Sequence, residues 1–101
     1  MNSASLREMA VQTSTMLIHS VEAYVEQDEE KARAVIRQDD VVDDLFVTVK
    51  SEMIEAIRQN SDFSEAAADL LMAAKYFERI GDHATNIAEW TVYAFTGRHE
   101  D

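Results

Sequence analysis

The chain contains no proline and only two glycines, Gly81 and Gly97, in 101 residues. Proline removes a backbone donor and glycine carries the largest backbone entropy cost, so their scarcity leaves little to interrupt a helix. Long helices in an all-α fold are the expected result. Three helices separated by two short breaks account for nearly the whole chain, and its length suits a single domain over residues 1–101.

The first helix is expected from Ser3 to Glu26. Leu6, Met9, Thr13, Met16, Ser20 and Ala23 recur at alternating three- and four-residue steps, and Ala10, Leu17 and Tyr24 widen that stripe. The run Gln27-Asp28-Glu29-Glu30 interrupts it, with Asp28 placed to cap the second helix and Glu29 and Glu30 suited to its positively polarised first turn. In the second helix Ala32, Val35, Asp39, Val42, Phe46, Val49, Met53 and Ala56 keep a regular 3,4 spacing in which Asp39 is the one residue that is not apolar. A second break at Gln59-Asn60-Ser61-Asp62 precedes a third helix from Phe63 to Phe95, where Asp62 and Glu65 read as a capping box and Gly97 as the stop. His99, Glu100 and Asp101 are expected to fray. Short connections between long helices imply antiparallel neighbours, so the architecture is an up-down-up antiparallel three-helix bundle.

The third helix is apolar around much of its circumference. One arc holds Leu70, Leu71, Ala74, Phe77, Gly81, Ala84, Ala88 and Phe95; the opposite arc carries Ala73, Tyr76, Ile80, Ile87, Trp90 and Ala94. A three-helix bundle buries one of these faces, so the other is expected to meet a second chain or a further domain, with homo-oligomerisation as the simplest outcome.

Charge narrows the partners. Twenty acidic against nine basic residues give a net charge of −11, which disfavours nucleic acid and anionic membranes and favours cations or basic protein surfaces. No cysteine is present, which excludes thiolate metal sites and cysteine nucleophiles and suits a cytosolic protein. No apolar run approaches the roughly 18 residues of a membrane span, and no signal peptide is evident near the start.

Four carboxylates stand out. Asp39 and Asp43 are one turn apart on the second helix, and Glu78 and Asp82 are one turn apart on the third, so each pair shares a helix face. Like charges at this spacing repel, and a desolvated carboxylate costs several kcal/mol unless compensated. A multivalent cation is one remedy, since carboxylates on adjacent helices build metal sites inside bundles. A solvated seam with local ion pairs is the other, with Arg37, Lys75 and Arg79 nearby and Asp40 and Asp44 showing that this stretch is acid-rich throughout. Gly81 lets a neighbouring helix or an ion approach closely, and helix packing without metal accounts for it equally well. His19, His83 and His99 form no Glu-x-x-His pair, and no GxSxG, phosphate-binding loop or HExxH occurs, so an enzyme is not expected.

The stretch Phe77-Glu78-Arg79-Ile80-Gly81-Asp82-His83-Ala84-Thr85-Asn86-Ile87-Ala88-Glu89 carries an ERIGD…NI pattern that resembles the PhoU family, cytoplasmic regulators of bacterial phosphate uptake. Ala34 to Asp43 and Tyr93-Ala94-Phe95-Thr96-Gly97 are similar to the matching parts of that family, and the resemblance covers essentially the whole chain. Family members have two tandem three-helix repeats, so this chain looks like one repeat, the second. The resemblance implies that Asp39, Asp43, Glu78 and Asp82 hold a divalent or trivalent metal ion, whether iron, zinc or manganese, with Asn86 as an outer candidate. It also implies a non-enzymatic regulator that couples a phosphate ABC transporter ATPase to a sensor histidine kinase and holds the phosphate-starvation response off. The rival readings are an acidic helical interaction module without metal and a metal-carboxylate enzyme. The missing repeat is what would otherwise cover the second apolar face.

Overall fold

The structure, a computed structural model, describes residues 3–96. It contains α1 (Ala4–Glu26), α2 (Glu29–Gln59), a single 3-10 turn (Ser61–Phe63) and α3 (Ser64–Thr96). All three helices pack against one another in a rod of 59 × 19 × 15 Å, the expected up-down-up antiparallel bundle. Gly97 and the expected frayed end at His99, Glu100 and Asp101 lie outside the described residues.

The helix ends show why the chain turns where it does. Ser3 caps α1, its Oγ accepting the Leu6 N–H at 3.0 Å. At the other end Gln27 takes a left-handed φ of 57°, and the Asp28 N–H donates to the Ala23 carbonyl at 2.9 Å, which satisfies a carbonyl that the helix end would orphan. Asp28 Oδ1 in turn accepts the Lys31 N–H at 3.0 Å and opens α2, as its position in the sequence suggests. Two residues thus close one helix and start the next.

The second break differs from the sequence expectation. Asn60, rather than Asp62, supplies the cap: its Oδ1 accepts the Asp62 N–H at 3.1 Å, and Asp62 lies inside the 3-10 turn. An amide two residues before Asp62 offers the same local hydrogen bond as a carboxylate, and the extended backbone at Asn60 places it in reach.

The core is narrow and built from small or flexible side chains. Met9, Thr13, Met16, Ser20 and Ala23 of α1 are fully buried, as are Ala32, Val42, Val49 and Met53 of α2 and Ala67, Ala74, Ala84, Ala88 and Thr91 of α3. The alanine row on α3 lets the helices approach closely, and methionine fills the irregular gaps that remain. Buried hydroxyls are satisfied within their own helices: Thr13 Oγ1 donates to the Met9 carbonyl and Thr91 Oγ1 to the Ile87 carbonyl, both at 2.8 Å. The stripe on α1 is narrower than its sequence suggests, because Leu17 and Tyr24 are exposed. On α3 the opposite arc is outward only in part: Tyr76 and Trp90 are exposed, whereas Ala73, Ile80, Ile87 and Ala94 are half-buried.

Candidate functional site

Asp39 occupies a core row of α2, one turn from both Val35 and Val42, which are buried. A carboxylate fits there because α3 presents Gly81 opposite it. A β-carbon on Gly81 would lie 3.9 Å from Asp39 Oδ1 and 3.7 Å from Val42 Cγ1, so a side chain larger than a methyl group at this position would crowd the carboxylate. Gly81 is thereby a packing residue shared by all three helices.

The four carboxylates picked out by their spacing are brought together on the α2–α3 seam. Burial pushes the Asp39 carboxyl above its ordinary value, and the charges of Asp43 and Asp82 push it further. Asp43 is raised in the same way, by burial first and then by Glu78 and Asp82. Each pair therefore feels the other across the seam. Their placement is less inward than expected: Asp39 and Glu78 are half-buried, whereas Asp43 and Asp82 are exposed. The pairs sit on the rim of the core, where helix spacing of four residues carries the second member toward water.

Local basic residues neutralise little of this charge. Lys75 Nζ lies 3.3 Å from Glu78 Oε1 and also sits over the Phe46 ring, 4.7 Å from its centroid. Arg79 turns to the Tyr76 ring instead. Among the described residues no lysine or arginine pairs with Asp39, Asp43 or Asp82. His19, His83 and Asn86 are exposed, and His99 lies outside the described residues.

Thr85 is the residue that spacing did not flag. Its Oγ1 is buried without a hydrogen-bond partner, the only such side-chain atom among the described residues, yet it stands near enough to Asp39 to oppose the rise of that carboxyl. It lies one turn beyond Gly81, and that step from the glycine facing Asp39 was the available signal.

The donor set suits a cation that takes oxygen ligands, with acidic side chains on two facing helices and an unsatisfied hydroxyl beside them. As the side chains stand, no three Asp, Glu or His residues among the described ones converge closely enough to enclose an ion. Binding would need rotamer changes at the exposed Asp43 and Asp82, which solvent leaves free to move.

Comparison with known proteins places this arrangement in a family. The chain matches the PhoU domain over residues 6–91, a span that contains all four carboxylates, Gly81 and Thr85. It is 34% identical over 93 residues to a phosphate-specific transport system accessory protein PhoU homolog of Clostridium acetobutylicum, covering 92% of this chain and 42% of that protein. It is 36% identical over 90 residues to the homolog of Zymomonas mobilis, covering 89% of this chain and 38% of that protein. A homolog of Thermotoga maritima, numbered 2, is 37% identical over 89 residues, covering 88% of this chain and 38% of that protein. The chain spans about two-fifths of the length of the curated relatives it matches. With the ERIGD segment on α3, the facing acids on α2 and a match over nearly the whole bundle, the chain belongs to the PhoU domain family.

Proposed function

We propose that this chain is a non-enzymatic regulatory module of phosphate uptake. The match over residues 6–91 carries this reading, because it takes in the whole bundle and the relatives are named accessory proteins of phosphate-specific transport. On this reading the chain acts in the cytoplasm, links a phosphate ABC transporter ATPase to a sensor histidine kinase, and keeps the starvation response off while phosphate is plentiful. No helix among the described residues is long and apolar enough to cross a membrane, in keeping with a partner that docks onto transporter subunits rather than joining them. The net charge of −11 favours a basic docking surface on that partner.

Asp39, Asp43, Glu78 and Asp82 would hold a metal ion in this reading, with Thr85 beside them. The ion supplies charge neutralisation between two acidic helix faces. Its consequence is mechanical: α2 and α3 are pinned at mid-length, and the surface they form together is fixed for docking. Gly81 keeps room at this point, and the half-buried Asp39 is held in place by the core on either side of it.

Metal content per chain, measured by inductively coupled plasma mass spectrometry on protein purified without chelator, tests the metal half of the proposal. Stoichiometric metal in the parent that disappears in Asp39→Asn/Asp82→Asn is expected. Binding titrations against the purified transporter ATPase and the kinase sensor domain test the regulatory half, and no binding to either would sink it. The open arrangement of the acids, with Glu78 already paired to Lys75, favours one alternative: an acidic interaction module without metal. That reading predicts no retained metal and docking unaffected by the double substitution.

A further inference from the structure

The α2–α3 seam is a ladder of facing side chains. Asp39 stands toward Asp82 and Asp43 toward Glu78, each pair near enough for its charges to act on one another. On the next rung Phe46 stands against Lys75, whose Nζ lies 4.7 Å from the ring centroid. The rungs climb α2 by four and then three residues and descend α3 by the same steps, as one face of each antiparallel helix requires. The row of acids therefore ends on a cation.

Lys75 is held there from two sides. Its ammonium lies 3.3 Å from Glu78 Oε1 on its own helix and over the Phe46 ring on the neighbouring one. A solvent-exposed ion pair by itself is weak. The half-buried ring adds a second attraction and fixes the direction of the lysine stem. Arg79, although next to Glu78 in the chain, lies over the Tyr76 ring instead, 5.7 Å from its centroid. Glu78 is thus the one carboxylate of the four that has a basic partner among the described residues, and that partner is Lys75.

We propose that Lys75 is an internal competitor for the metal ion at this seam: its ammonium occupies Glu78 in the metal-free chain, and a divalent cation reaches that carboxylate only by displacing it. The proposal rests on reading the four acids as an ion site and adds how that site is regulated. An ammonium and a divalent ion seek the same carboxylate oxygen, and two cations sharing it repel. The open arrangement of the acids is in keeping with this, because Lys75 draws Glu78 toward the end of the ladder opposite Asp82. Displacement returns the lysine charge to solvent, which couples occupancy of the seam to the outer surface of α3.

Zinc titrations of the full metal-free chain test the proposal, with affinity read by calorimetry and Lys75 itself by NMR of carbon-13-labelled lysine. The Lys75 side chain is 61% exposed, so its replacement leaves the core intact. Lys75→Met is expected to bind zinc at least ~3-fold more tightly than the parent. Lys75→Arg is not, because a guanidinium keeps the pairing with Glu78. Arg79→Met tightens binding less than Lys75→Met does. In the parent the Lys75 side-chain resonance moves in step with bound zinc, while those of Lys31 and Lys50 stay in place. An affinity unchanged in Lys75→Met overturns the proposal and leaves the ion site standing, as does a Lys75 resonance that ignores bound zinc. Equal tightening by Arg79→Met also overturns it, since Lys75 would then act only as a nearby charge. Zinc bound by neither the parent nor Lys75→Met removes the ion site and this proposal together, whereas binding by Lys75→Met alone shows that the lysine closes the site.

Discussion

Gly81 of α3 faces Thr13 of α1 so closely that a β-carbon on Gly81 would lie 3.4 Å from Thr13 Cγ2. That distance is ordinary van der Waals contact, so the position holds a methyl group but nothing larger. Gly81→Ala is therefore predicted to stabilise the bundle by up to about 1 kcal/mol, the usual helix gain over glycine. Gly81→Val is predicted to cost roughly 1–3 kcal/mol, since two further methyls would drive into Thr13, Val42 and Asp39. Urea denaturation of both variants measures the difference, and a destabilised alanine variant would show that the site tolerates no β-carbon at all.

Gln27 is a point of backbone strain. It is the one non-glycine residue at positive φ among the described ones, and it takes that conformation to end α1 two residues before α2 begins. Glycine adopts the left-handed region without the β-carbon penalty of roughly 1–2 kcal/mol. Gln27→Gly is expected to raise the stability of the bundle by about 1 kcal/mol, visible as a melting temperature higher by several degrees.

The raised carboxyls of Asp39 and Asp43 predict a particular pH response in the metal-free protein. The unfolded chain loses these protons near the ordinary carboxylate value of ~3.9, whereas the folded chain keeps them to higher pH. Through that window the native state binds more protons than the unfolded one, so this contribution is full below ~3.9 and is lost as pH rises through the folded values. Asp39→Asn removes its own share. It should flatten the decline and leave the protein more stable than the parent at neutral pH, by less than about 1 kcal/mol once solvent screening is allowed for. Denaturation curves at about pH 4 and pH 7 test this, and Thr85→Val should push the Asp39 titration higher still, as read by carbon NMR.

Metal, if held as proposed, reverses that loss. Manganese at about a hundredfold above its dissociation constant adds roughly 2.7 kcal/mol to the folded state, or about 10–20 °C in melting temperature. The same addition to Asp39→Asn/Asp82→Asn is expected to leave its melting temperature unchanged. A parent that does not respond would favour the metal-free interaction module.

Local pattern determined a large part of this protein. The absence of proline, the 3,4 spacing of Met9, Thr13, Met16 and Ser20, and the capping position of Asp28 act within one or two helical turns, so they are readable without knowing what lies opposite. Asp39 was legible for the same reason, as a carboxylate in an apolar row. Tertiary structure alone decided how wide the buried stripe on α1 is, because Leu17 and Tyr24 continue its period and only the placement of the neighbouring helices leaves them exposed. It also decided that Gly81 makes room for Asp39, that Asp43 and Asp82 reach solvent, and that the Thr85 hydroxyl is sealed in without a partner. These depend on the rotation and depth at which α2 meets α3, which residues far apart in the chain set together by packing, and no single helix encodes them.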